Sequence, residues 1–497
     1  MDFNTNRFYT TNVFIIILLL STAYLAFFTK EHYFFLDDFY YIIGPKLYML
    51  ITEERLKLFD VFSNIGPQDH YAPLYYYYLQ FMPANAELYH FVTILFHSTA
   101  TLFVFLIATE LIQDKKVALI ASMLYFFNMS IHSWPIVWNA FNAHIINSVP
   151  GFFAFYLSIK YLKMEKENSF LLLFLISFFT SLTIFIYESG FLYLVLIFLF
   201  LILNSGPIKN KVKVLCSLSL PVIIYFSLTY NLSGNIHPIL DRYNDSTAKN
   251  FYRVTNVDPN SLYAKRSNYA ERNFTNYSIR LSENLLNTLN LGTLELIVKE
   301  SLNKKNTKEK FKLFLNKYKN YFILIFALLL ILSIIILIKI GVNKYKDKVF
   351  RNLLFYYLTM IIVTSVIYFR KDLGMAFGFS ASLFLSYVLI NFFKKNNFFV
   401  SLFLISYFIL SIIYIKGGME FAHVDYQKSL IKKNFLEVEK FVNSKDINNP
   451  YIQNVEYKLY YFYKNYDHYK TELKDFANNN SHDFHSFAKN FSNFKNY

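Results

Sequence analysis

Long apolar runs alternate along this chain with short polar stretches that are repeatedly basic. Crossing about 30 Å of hydrocarbon at 1.5 Å per residue takes roughly 20 residues, fewer where the fit is thin or tilted. Eleven runs qualify, at about 12–28, 88–112, 117–131, 143–162, 170–186, 190–204, 214–230, 321–340, 352–369, 375–393 and 398–415. Each is expected to be a helix, because a backbone in lipid finds no water to bond. The fold class predicted is an all-α polytopic membrane protein of about eleven transmembrane helices, with mainly helical outer-face loops and tail.

The basic residues orient these spans. Arg7, Lys115 and Lys116, Lys160 with Lys163 and Lys166, Lys209 with Lys211 and Lys213, the Lys339 to Arg351 stretch, and Lys394 with Lys395 fall at every second boundary. Residues 117 to 159 contain no Asp, Glu, Lys or Arg at all. Cytoplasmic loops carry the Lys and Arg excess, so the N-terminus is expected inside and the C-terminus outside. Three longer polar segments, 29–87, 231–320 and 416–497, then fall on the outer face. The first span lacks an Ala-x-Ala-like cleavage site and runs into Phe27-Phe28-Thr29-Lys30, which reads as a retained anchor. In the tail, Leu430, Phe435, Leu436, Val438, Phe441 and Val442 recur at helical spacing and predict an amphipathic helix. Four units follow: a transmembrane module at 1–230, an outer loop at 231–320, further transmembrane helices at 321–415, and an outer tail at 416–497.

Composition excludes the other classes. Hydrophobic residues make up 55% and charged residues 17%, against about a quarter charged in soluble domains. Aromatics reach 20%, with few Gly and Pro, which removes disordered and collagen-like chains. Cys216 is the single cysteine, so no internal disulfide and no cysteine-built metal site exist. The net charge of +15 reads as topology signal plus solvated surface rather than nucleic-acid binding. Walker A, GxGxxG, HExxH, CxxC and Gly-x-Ser-x-Gly patterns are absent, leaving soluble nucleotide chemistry unsupported.

In a bilayer-embedded chain the informative ionisable group is one away from a cytoplasmic end, and three places stand out. Asp37 and Asp38 sit in Phe34-Phe35-Leu36-Asp37-Asp38-Phe39-Tyr40-Tyr41. Adjacent, partly desolvated carboxylates repel, which raises one pKa and makes either a general base or a metal ligand; alternatively one of them N-caps an amphipathic stretch at 45–59. Glu188, in Ile186-Tyr187-Glu188-Ser189-Gly190, is the only charged residue between Glu167 and Lys209. It is either a cation or sugar-hydroxyl ligand or a solvated turn residue. Arg370-Lys371-Asp372 places cations on an outer turn; the guanidinium fork suits phosphate oxygens, and an ion pair with Asp372 or headgroup contact is the alternative. His70 and Tyr71 share the outer side, as do His132, Trp134, Trp138, Asn139, Asn142 and His144, where Trp serves a sugar platform or an interfacial belt. His90 and His97 are seven apart on one helix face and read as interhelical hydrogen bonders.

The order of these features resembles the polytopic GT-C glycosyltransferases, in the branch of the protein O-mannosyltransferases and their bacterial relatives. The matching residues are the outer Asp37-Asp38, Tyr71-Ala72-Pro73-Leu74, Tyr89-His90-Phe91, Phe96-His97, Lys115 to Ala121, Ile131-His132 to Trp138 and Tyr187 to Gly190, with a fainter match around Arg370. The likeness covers about residues 10–200. Here Tyr187 stands where relatives carry a Lys, Ala72 where they often carry an Arg, and Trp134 near the place of a Glu.

That resemblance implies a membrane-embedded, inverting transferase of the cell envelope. It would move a sugar from polyprenyl phosphate to an acceptor on the outer face of the bacterial cytoplasmic membrane. Asp37 or Asp38 would be the base, Arg370 and Lys371 donor-phosphate ligands, and His70, Tyr71, His132, Trp138 and Glu188 substrate contacts. The acceptor would be a glycan, lipid or protein. Polyprenyl phosphate leaves well enough that no metal is required, although Asp37 and Asp38 are compatible with a divalent cation. Two alternatives share the topology. An O-antigen polymerase or ligase would use a lipid diphosphate with outer-loop arginines (Arg242, Arg253, Arg266, Arg272, Arg280). A transporter or flippase would place charges at mid-depth within internal repeats, and neither is visible.

Overall fold

The computed structural model describes residues 3–29, 42–52, 55, 57–63, 71–137, 142–164, 169–234, 280–281, 284–291, 347–367, 374–392, 397–413 and 462–471. Those residues form helices and turns, with no strand among them. In chain order the helices are α1 (Phe3–Thr29), α2 (Gly44–Thr52), α3 (Leu58–Phe62), α4 (Pro73–Phe81), α5 (Ala86–Ile112), α6 (Lys115–Phe126), α7 (Met129–Val137), α8 (Ala143–Ile146), α9 (Ser148–Lys163), α10 (Phe170–Ile186), α11 (Phe191–Leu203), α12 (Ile208–Ser233), α13 (Lys348–Ile367), α14 (Met375–Phe392) and α15 (Asn397–Ile413). A 3-10 turn, Glu188–Gly190, joins α10 to α11.

Among the described residues, five stretches are long and apolar enough to cross a bilayer: Thr10–Thr29, Ala86–Ile112, Ala143–Lys163, Ile208–Leu232 and Lys348–Val366. Four shorter apolar helices, Phe170–Ile186, Glu188–Leu203, Met375–Asn391 and Phe398–Ile412, accompany them. Ile16, Leu19 and Leu20 on α1, Phe170 and Leu171 on α10, and Leu220 and Ile223 on α12 all stand exposed. Apolar faces of that extent belong in lipid, and the chain is a multi-pass membrane protein. The expected count of eleven spans is not reproduced. The run at 117–131 is not one helix: α6 ends after 12 residues at Phe126, and the chain turns before α7. The run at 321–340 and the tail helix at 430–442 lie outside the described residues.

Local chemistry sets several helix ends. α5 closes on Gln113 in a left-handed conformation, and Asp114 then caps α6 by accepting the Lys116 and Val117 amides at 2.8 and 3.3 Å. Asp347 caps α13 through the Val349 and Phe350 amides. α5 is the hub, packed on α1, α6 and α9, while α10 bridges α9 and α12, and α14 lies on α6 and α13.

Basic residues gather at one end of this bundle. Lys163 and Lys160 pair with Glu110, the first at 2.8 Å, and Lys115 donates to Thr11 Oγ1 at 2.9 Å. The opposite end carries Thr29, Asn85, Asn142 and Glu188.

Breaking α6 from α7 frees backbone groups inside the bundle, and a freed group without a partner is costly there. Asn290 supplies the partners. Its Oδ1 accepts the Ser130 amide at 2.9 Å, and its Nδ2 donates to Phe127 O at 3.2 Å and to Ser411 Oγ at 2.8 Å. Asn128 Nδ2 donates to Asn287 O, and Ser411 Oγ donates to Phe127 O. Asn290 has φ 61°, a left-handed conformation that Asn tolerates better than most residues. Within the 231–320 stretch, the residues from Asn284 to Asn290 are thus wedged against α13 and α15; Asn284 Nδ2 donates to Ser365 Oγ at 2.9 Å.

Candidate functional site

The turn between α10 and α11 is tight because of glycine. A Cβ at Gly190 would lie 2.5 Å from the Thr183 carbonyl oxygen, so only glycine lets the hairpin close. The closure turns Glu188 inward to 3% exposure. That excludes the solvated-turn alternative for this residue. Glu188 Oε1 accepts the amide proton of Tyr71 at 3.1 Å.

Tyr71 is held at its far end too. Its hydroxyl donates to Phe62 O at 2.9 Å, and its ring meets Phe185 and Tyr225 edge-on. Burial pushes its phenol well above the ordinary tyrosine range. Next along the chain, Pro73 starts α4, where its missing N–H leaves nothing unsatisfied. α4 then sends Tyr75 to Asn142 Oδ1 at 2.7 Å, and Asn142 Nδ2 donates to Thr93 Oγ1 at 3.1 Å.

A second line of bonds holds the turn from beneath. Ser189 Oγ meets His144 Nδ1 at 2.8 Å and accepts from Asn147 Nδ2 at 2.9 Å, while Asn147 Nδ2 also reaches Tyr187 O at 3.3 Å. His90 Nδ1 meets Ile136 O at 2.9 Å and His97 Nε2 meets Phe126 O at 3.0 Å, so both are the interhelical hydrogen bonders expected of them. The result is a buried polar patch of hydroxyl, amide and imidazole groups around one carboxylate, shared by α4, α5, α8, the α8–α9 junction and the 3-10 turn. At the same end, Ala26, Thr29, Asn85, Glu87, Leu88 and Phe91 line a cavity of about 420 Å³ between α1 and α5.

Of the residues the sequence singled out, the structure brings Tyr71 and Glu188 into direct contact. His132 is not on an outer turn: it lies within α7, fully enclosed, its ring against His97 and Tyr125. An apolar, uncharged stretch continues helically under the surface, which composition alone reads as a loop. Asp37, Asp38, His70, Trp138, Arg370, Lys371 and Asp372 lie outside the described residues. Ser189, Asn147, Tyr75 and Thr93 carry the patch without having been singled out for it. Their only sequence signal is polar side chains in a segment otherwise built for lipid. Among the described residues, no three His, Cys, Asp or Glu side chains cluster to hold a metal ion.

No family model matches the chain, and no curated protein does either. Two solved structures of the Archaeoglobus fulgidus oligosaccharyltransferase, one in complex with Zn and sulfate and one in the apo form, are similar at 16% and 14% identity. Each has a TM-score of 0.43 and covers 80% of this chain. The chain spans about half of theirs, 52% and 55%.

Proposed function

We propose that this chain is a membrane-embedded glycosyltransferase. It moves a sugar from a polyprenyl-phosphate donor to an acceptor hydroxyl on the outer face of the bacterial cytoplasmic membrane. The end bearing Glu188 is the outer one, the lysine-rich end is cytoplasmic, the N-terminus is inside and the C-terminus is outside. Asp37 or Asp38 takes the proton of the acceptor hydroxyl. The oxygen then attacks the anomeric carbon, the bond to the phosphate oxygen breaks, and the departing lipid phosphate keeps the electron pair. Arg370 and Lys371 neutralise that charge. A single displacement inverts the anomeric centre. His70 and Trp138 face the sugar, and Tyr71 and Glu188 hold the wall beside it; His132, being enclosed, is left out of the sugar contacts.

The observation that supports this reading is the bond between Tyr71 and Glu188. It fastens the first outer loop, one residue past His70, to the outer tip of the α10–α11 hairpin. A segment of the first outer loop and one of the three charged places that the sequence marks thereby meet at one end of the bundle. Membranes containing the protein, incubated with radiolabelled polyprenyl-phosphate sugars, should give a labelled acceptor and free polyprenyl phosphate. Transfer from lipid diphosphates only would instead support the polymerase or ligase class. Arg280, an arginine that class would use, is buried with Nη1 donating to Ser365 O at 3.3 Å.

A further inference from the structure

Below the outer patch lies a second polar cluster that the proposed reaction does not use. His97 sits eleven residues into α5, hence about 16 Å below its start at 1.5 Å per residue. There its ring centroid is 4.5 Å from that of His132, and the Tyr125 ring meets His132 edge-on at 4.5 Å. Ser148 and Tyr193 close the far side, the serine beside both tyrosine hydroxyls. These five side chains come from α5, α6, α7, α9 and α11, and none is more than 2% exposed.

The hydrogen-bond inventory does not close within the protein. A carbonyl only accepts, so Phe126 O fixes the His97 proton on Nε2 and leaves Nδ1 as an acceptor with no protein partner. Neither His132 nitrogen has a protein partner, although a neutral imidazole presents one donor and one acceptor. Ser148 donates its own proton to Ile145 O at 2.6 Å, so it has none to offer. The wall beside His132 Nε2 is also thinned by a glycine: a Cβ on Gly378 of α14 would lie 3.6 Å from that nitrogen. Leaving such groups dry in a bilayer interior is costly, because no lipid atom can take the place of the missing partner.

We propose that His97, His132 and Tyr125 enclose a resident-water site at the centre of the bundle. About one to three waters would donate to His97 Nδ1, and both donate to and accept from His132. Water suits the site better than a metal ion. The described carboxylates of the surrounding helices, Glu87, Glu110, Asp114 and Glu188 in the turn before α11, lie at helix ends, and Glu188 already accepts the Tyr71 amide, so a dication at the histidines would have no carboxylate ligand. The waters tie α5, α6 and α7 together just where α6 breaks.

Two measurements on the full-length protein in nanodiscs test this. A high-resolution density map should show solvent peaks within hydrogen-bond distance of His97 Nδ1 and both His132 nitrogens. Direct protein partners on those nitrogens, or empty density, would overturn the proposal. The sign of the stability change in His132→Phe is independent of any activity. With waters present, the phenyl ring strands them, and Tm should fall by at least about 2 °C. In a dry site the same change removes two unsatisfied polar atoms, and Tm should rise. If His132→Phe does not fold, the density map decides alone. Reversible stabilisation by added Zn²⁺, removed by a chelator, would replace water with a metal.

Discussion

Glu188 Oε1 and the Tyr71 amide nitrogen are 3.1 Å apart although 117 positions separate them in the chain. A carboxylate acting as an acceptor for one backbone N–H needs an oxygen at that place, not a negative charge. Glu188→Gln keeps the oxygen and should retain most of the activity and the slow hydrogen exchange of the Tyr71 amide. Glu188→Ala leaves that amide buried without this acceptor, at a cost of about 1–3 kcal/mol. It should speed exchange at Tyr71 and lower transfer at least about tenfold. Loss in the Gln variant equal to that in Ala would mean that Glu188 acts through its charge.

Gly190 and Gly234 should respond differently to alanine. At Gly190 the new methyl meets the backbone carbonyl of Thr183 at 2.5 Å, and backbone cannot step aside. Gly190→Ala should open the hairpin tip, raising exchange at Tyr71 and lowering Tm by several degrees. Gly234 has φ +74° with nothing within 4 Å of a Cβ. Gly234→Ala meets only backbone strain, about 1 kcal/mol, and should leave transfer unchanged. Equal Tm losses in the two variants would contradict the hairpin argument.

Asn290 carries the α6–α7 break on one side chain. Asn290→Ala removes bonds to Phe127 O, Ser130 N and Ser411 Oγ and forces alanine into φ 61°. The loss should be about 2–4 kcal/mol. Asn290→Gly loses the same bonds without the backbone strain and should be less destabilised by about 1 kcal/mol. Thermal unfolding of both in detergent checks the order.

Lys46 gives a pH signature. It is buried on α2, where its ammonium donates to the carbonyls of Leu79 and Met82 at the end of α4. Burial lowers its pKa from 10.5 to about 8. Between those values the unfolded chain holds the extra proton, so stability rises with pH across that window, and the destabilisation is fully present below pH 8. Lys46→Met should flatten this rise. An unchanged Tm profile between pH 8 and 10.5 in the variant would assign the rise to other groups.

Much of the helical layout was legible in the sequence because lipid permits so few answers. Ten of the eleven apolar runs fall on described helices, and the pairing of Glu110 with Lys160 and Lys163 follows from basic residues gathering at one end. The break after Phe126 was not legible, since Phe127, Asn128 and Met129 read as one more turn of an apolar helix. What stabilises the break is Asn290, about 160 positions away in a segment that reads as loop. The same holds at the site. Glu188 stood out as a lone charge, but its partner is the backbone of Tyr71, and a backbone amide has no signature in sequence. His132 looked like an outer-turn residue because nothing in its composition marks an enclosed helix.

The most direct test is transfer from a radiolabelled polyprenyl-phosphate sugar by nanodisc-reconstituted protein, comparing wild type with Asp37→Asn, Asp38→Asn and the double variant at matched Tm. Wild type should yield product of inverted anomeric configuration. At least one single variant and the double variant should fall about a hundredfold or more, as expected for loss of a general base. Wild-type transfer that persists undiminished in the double variant would contradict the proposed chemistry.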